Sequence, residues 1–135
     1  MLKIYNLFNS TDNWASNVNL SLEIYRAEYL QTFGHVGSQK WIELFNNGLI
    51  PKIIIRGEVV FIGDRFNELW NELDDIVEIR TSDGAIYQYD HLGYWSDERI
   101  VIGTVILVES FKIEVSEKYG LRIFGFESSL SINNH

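Results

Sequence analysis

From Ile76 to Phe126 the chain is a series of short apolar runs, alternating or continuous, set between brief turns, and that pattern leaves few folds open. Ile76–Arg80 and Ala85–Tyr89 flank Ser82-Asp83-Gly84, and Phe111–Val115 and Leu121–Phe126 flank Lys118-Tyr119-Gly120. Strands joined by two or three residues run antiparallel, because a parallel crossover needs about a dozen residues or more. Between these hairpins, Arg99–Val108 is apolar at both alternate sets of positions and reads as a central strand covered on both faces.

The first half of the chain mixes periods. Leu2–Phe8 alternates and predicts a first strand, and Ser10-Thr11-Asp12-Asn13 supplies turn and N-cap chemistry ahead of a short helix carrying Trp14. Over Leu20–Phe33 two patterns compete. Leu20, Leu22 and Ile24 alternate like a strand, whereas Leu22, Tyr25, Tyr29, Leu30 and Phe33 recur at helical spacing, so we read strand first and helix after. Gly34-His35-Val36-Gly37 is a break. Ser38 caps a helix carrying Trp41, Ile42, Leu44 and Phe45, and Asn46-Asn47-Gly48 stops it. Beyond Pro51, Lys52–Ile55 and Glu58–Ile62 flank Arg56-Gly57 as a hairpin. Asp64 then caps a further helix, in which Phe66, Leu69, Trp70 and Leu73 stand at i, i+3, i+4 and i+7 and form one core-facing stripe. The expectation is an α+β fold: a mostly antiparallel sheet of about five to seven strands with two or three short helices packed on it. Without a linker or repeat, residues 1–135 read as a single domain whose polar end, 128–135, frays.

Composition excludes several kinds of chemistry. The chain has no cysteine, which removes disulfides, thiolate metal sites and cysteine nucleophiles together and fits a reducing compartment. The opening MLKIYNLFNSTDNW lacks the continuous apolar core of a secretory signal. The longest near-continuous apolar run, Ile100–Val108, falls far short of the ~20 residues that span a bilayer. A soluble cytoplasmic protein with no membrane partner is expected. A net charge of −8 and a pI near 4.8 repel phosphates, so nucleic acid is not an expected partner and basic proteins are.

No catalytic or metal motif stands out, and no cofactor or metal is expected. His35, His91 and His135 show no ligand spacing, and HExxH, GxSxG and SxxK are absent. Gly34–Lys40 fails the spacing of a phosphate-binding loop. Carboxylates are plentiful, yet no pair is singled out for glycoside hydrolysis, and Asp74, Asp75 and Asp83 lack EF-hand spacing. Asp90-His91 reads as a turn after the strand ending at Tyr89, with half of an acid–base site as the sharper alternative.

The formal imbalance of charge lies wholly between Asp64 and Glu98. That stretch holds ten carboxylates against Arg65 and Arg80, while the rest of the chain sums to zero. Large amphipathic rings are interleaved with the acids. In Asp90-His91-Leu92-Gly93-Tyr94-Trp95-Ser96-Asp97-Glu98, aromatic residues fall in an expected loop, where Trp and Tyr are favoured as interface anchors. The candidate partner-binding residues are therefore Asp74, Asp75, Asp83, Tyr89, Asp90, Tyr94, Trp95, Asp97 and Glu98.

In size, acidity and this acidic-aromatic stretch, the chain resembles the small immunity proteins of bacterial toxin–immunity systems, including contact-dependent inhibition and polymorphic toxins. The resemblance implies a protein that binds and neutralises a cognate basic toxin domain, often a nuclease. Its carboxylates would steer the partner and its rings would hold it. Two other readings stand beside it: a small hydrolase using Asp90/His91 or a carboxylate pair, and a self-associating structural or phage protein pairing through Leu121–Phe126. The oligomeric state is left open by the sequence.

Overall fold

The structure, a computed structural model, describes residues 1–133. Its elements in chain order are β1 (Leu2–Asn6), α1 (Ser16–Tyr25), α2 (Ala27–Phe33), α3 (Gln39–Asn46), β2 (Ile53–Asn67), β3 (Glu72–Arg80), β4 (Ile86–Asp90), β5 (Val105–Glu117) and β6 (Gly120–Ile132). Short 3₁₀ turns lie at Leu7–Asn9 and Gly93–Ser96. The fold is α+β, with three helices and a six-stranded antiparallel sheet in the order β1-β6-β5-β2-β3-β4. The hairpins expected at Ser82-Asp83-Gly84 and at Lys118–Gly120 both form, the first closed by Thr81 N–H donating to the Ala85 carbonyl at 3.0 Å.

The chain divides into two compact units. One consists of Met1–Tyr5, Ile54–Val108 and Ser129–His135. Its core is Val59, Val77, Ile79, Trp95, Ile100, Ile106, Val108, Leu130 and Ile132, with Ile4, Tyr5, Ile55, Ile62, Tyr89 and Tyr94 packed on it. The other consists of Asn6–Ile53 and Glu109–Ser128. Its interior is aromatic: the Trp41 ring lies 5.2 Å from Phe111 and 5.4 Å from Phe45, and Trp14 lies 5.0 Å from Phe126.

Helix α3 forms as its sequence dictates, with the Ser38 hydroxyl oxygen accepting the Trp41 N–H at 3.3 Å. Over Leu20–Phe33 the helical period wins throughout. Val18, Ser21 and Leu22 are buried at i, i+3 and i+4, whereas Leu20 and Ile24, the positions that mimic a strand, are 54 % and 70 % exposed. The helix starts after Trp14 and without a side-chain cap. Arg26, at φ −152° and ψ 56°, separates α1 from α2.

Four other expectations are corrected. Arg56-Gly57 is no turn: β2 runs through it, and a Cβ on Gly57 would sit 3.0 Å from the Arg80 carbonyl oxygen. The glycine serves a close approach between strands. Residues 99–104 form a loop ahead of β5 instead of strand, held by the Thr104 hydroxyl accepting Val101 N–H at 3.1 Å and by Gly103 N–H donating to the Val59 carbonyl at 2.8 Å. The polar ending does not fray at 128–132. These residues complete β6 and are buried, with the Ser128 hydroxyl hydrogen-bonding Glu109, because a strand satisfies its backbone whatever its side chains. Positions 134–135 of that expectation lie outside the described residues. The fourth correction concerns Asp64–Leu73, where no helix forms.

Candidate functional site

Asp64–Asn67 ends β2 and Glu72 begins β3, so the expected helix is the tip of a β-hairpin. The register pairs Asp64 with Asp75, Arg65 with Asp74, Phe66 with Leu73 and Asn67 with Glu72. A hairpin with that register sets residues i and i+7 directly opposite one another, which is why the spacing imitates a helix stripe. Asn67 decides the matter locally. Its side-chain oxygen accepts the N–H groups of Leu69 and Trp70 at 3.1 and 3.4 Å, and its amide donates to Asp74 at 2.9 Å. Asn71 closes the turn at φ 52°, a left-handed conformation that asparagine tolerates. The asparagines bracketing Glu68-Leu69-Trp70 were the signal in the sequence for this turn.

The consequence is exposure of every residue assigned to the core stripe. Phe66 is 58 % exposed, Leu69 86 %, Trp70 71 % and Leu73 66 %. Strand alternation puts Phe66 and Leu73 on one face with Asp64 and Asp75, and Arg65, Asn67, Glu72 and Asp74 on the other. Arg65 is already engaged: its guanidinium lies 3.9 Å from the Phe61 ring centroid and donates to Glu78 at 2.7 Å. The four apolar side chains and the carboxylates of Asp64, Glu68, Glu72, Asp74 and Asp75 therefore share one hairpin end.

The 90–98 segment does the reverse. The 3₁₀ turn Gly93–Ser96, with Gly93 at φ 59° and the Ser96 hydroxyl donating to the Gly93 carbonyl, turns its rings inward. Trp95 is 4 % exposed, in the core, stacked on Tyr89 at 4.1 Å. Tyr94 is partly buried and stacks on Tyr5 at 3.7 Å. The expectation that Trp95 anchors a partner is overturned, because its indole is spent on packing. Tyr89 and Tyr94 offer only part of their rings.

The expected acidic residues fall into different environments. Asp97 grips Arg99 with both oxygens, at 2.9 and 2.7 Å, and these hydrogen bonds lower its pKa to about 2. Glu98 beside it is exposed. Asp83 is a turn residue. Its Oδ1 accepts the Thr81 hydroxyl and the Ala85 N–H, bonds that hold its pKa below the usual carboxylate range, with the Thr81 bond foremost. Asp90 is exposed opposite Ile76. His91 pairs with Asp75 and not with its neighbour Asp90, Nδ1 to Oδ1 at 3.1 Å, while its backbone N–H donates to the Asp75 carbonyl at 3.0 Å. Asp74 and Asp75 lie on opposite faces of β3, and Asp83 lies in the turn at that strand's other end.

Among the described residues no group of three or more His, Asp and Glu side chains is placed to hold a metal ion. A cleft lined by Arg56, Gly57, Glu58, Arg80, Thr81, Ser82 and Val105 contains one carboxylate and no histidine. No helix among the described residues is long and apolar enough to cross a membrane. A scan against protein-family models and a search of curated proteins both return no match for this sequence.

Proposed function

We propose that this is a binding protein of the immunity type, which captures a basic protein domain by presenting carboxylates where that domain expects phosphates. One observation carries the reading. The unit built on β2, β3 and β4 holds eleven carboxylates against five arginine or lysine side chains, and eight of the eleven (Glu58, Asp64, Glu68, Glu72, Asp74, Asp83, Asp90 and Glu98) have no ion-pair partner among the described residues. The other unit is nearly balanced, with eight against six. Unpaired charge of one sign raises encounter rates with an oppositely charged domain toward ~10⁸–10⁹ M⁻¹s⁻¹ at low salt. It also repels wrong partners, nucleic acid among them.

The immunity class implies a large secreted protein encoded next to this one and ending in a small basic domain. The test mixes that domain with this protein and follows association by surface plasmon resonance from low to high salt. Tight binding, with an association rate that falls steeply as salt rises, and loss of the domain's activity at equimolar protein support the proposal. Absence of binding, or binding indifferent to salt, ends it.

A further inference from the structure

We infer that the partner is held by the β2–β3 hairpin tip, through Phe66, Leu69, Trp70 and Leu73, and that the tip enters an apolar socket rimmed by lysine or arginine side chains on a protein surface. This rests on the binding reading above and specifies its contact chemistry.

Four large apolar side chains within eight residues are each more than half exposed. A monomeric soluble protein rarely leaves such side chains together without a use. Trp70 contrasts with Trp41 and Trp95, which are 0 % and 4 % exposed. The tip is also preorganised: Asn67 fixes the turn by three hydrogen bonds, and β2–β3 pairing runs to Asn67–Glu72 itself. An anchor held in its bound shape loses little entropy on docking. Four side chains make an anchor and not a whole interface, which buries roughly 800 Å² per partner, so the surrounding acids form the rim.

Charge selects the occupant. Between Asp64 and Asp75 there are five carboxylates and one arginine, and that arginine is paired with Glu78. Anionic lipid headgroups are repelled by this rim, and so is the same tip on a second copy of the chain. A cationic protein surface is attracted by the rim and desolvated by the apolar centre.

The test uses the full chain and a synthetic twelve-residue peptide alternating lysine with leucine, titrated by calorimetry and mapped by NMR. The expected result is binding that perturbs the Trp70 indole and the Phe66 and Leu73 side chains. Binding should weaken at least tenfold in the Phe66→Ser/Trp70→Ser variant, and also when serine replaces leucine in the peptide. All the substituted positions are exposed, so circular dichroism and melting should match the wild type; Leu69→Ser provides a second, single-site variant. If the double variant binds as wild type does, the anchor lies elsewhere and the inference falls while the binding reading stands. If the wild-type chain ignores the lysine–leucine peptide, the inference falls, while the binding reading is decided by the cognate basic domain. Binding to phosphatidylserine vesicles, or concentration-dependent dimerisation abolished by the double variant, would assign the tip to a membrane or a second copy and overturn the inference.

Discussion

Residues 64–75 and 90–98 carry the same ingredients, carboxylates interleaved with Trp and other large apolar side chains, and the fold treats them in opposite ways. In the first, two paired strands end in a turn whose large apolar side chains are mostly exposed, so Phe66 and Trp70 face outward. In the second, a 3₁₀ turn follows an edge strand and folds Trp95 back onto Tyr89 and the core. Composition alone therefore says that a segment can recognise a partner, while the position of the segment relative to the core says whether its rings are free to do so.

That contrast can be broken most directly by truncating the two indoles. Trp95→Ala should cost about 3–5 kcal/mol in urea denaturation, as removal of a buried aromatic does, whereas Trp70→Ala should change stability by no more than about 0.5 kcal/mol. A larger loss at Trp70 would invert the assignment. Next comes Asn71→Ala. In a left-handed turn position this substitution destabilises by about 1 kcal/mol; in a helix it would stabilise by several tenths. The sign of the change thus separates hairpin from helix.

A finer test reads the charge around each ring. Cs⁺ should quench a larger share of the fluorescence than iodide does, because the carboxylates around Trp70 concentrate cations and repel anions. The excess should shrink with added salt and fall sharply in Trp70→Phe, since Trp41 and Trp95 are buried and Trp14 alone is left partly exposed. The smallest effect concerns the one tightly paired acid of the 90–98 segment. The pKa of Asp97, about 2 in the folded chain, lies below the ordinary value of about 3.9. A depressed carboxylate contributes stability that is fully present above its unfolded pKa and is lost as the pH falls through its folded one. The small stability difference between wild type and Arg99→Ala should therefore hold above about pH 4 and disappear on acidification toward pH 2. An NMR titration should place the Asp97 midpoint near 2 in the wild type and higher in Arg99→Ala, while still below the ordinary carboxylate value because the backbone N–H of residue 99 goes on donating to Asp97.

Much of the fold was legible because it is written in local chemistry. Ser38 and Asn46-Asn47-Gly48 bound α3, and Ser82-Asp83-Gly84 and Lys118–Gly120 close their hairpins, since each signal acts over only a few residues. The misreadings arose where one spacing serves two structures. Phe66 and Leu73 lie on one side of a helix and also face each other across a hairpin, and Leu20, Leu22 and Ile24 fit a strand until Val18 and Ser21 choose the helix face. Of the nominated site, the exposed acids Asp90 and Glu98 remain available, Asp83 is hydrogen-bonded within its own turn without an ion-pair partner among the described residues, Asp75 and Asp97 are ion-paired, and Trp95 is lost to the core.

By itself the sequence determined the α+β class, the antiparallel pairing of its hairpins and the concentration of negative charge between Asp64 and Glu98, because periodicity, turn chemistry and charge are properties of neighbouring residues. Tertiary structure alone decided which aromatic residues meet solvent. Burial depends on what lies across the sheet from a side chain, and residues far apart in the chain, such as Tyr5 against Tyr94, supply that covering.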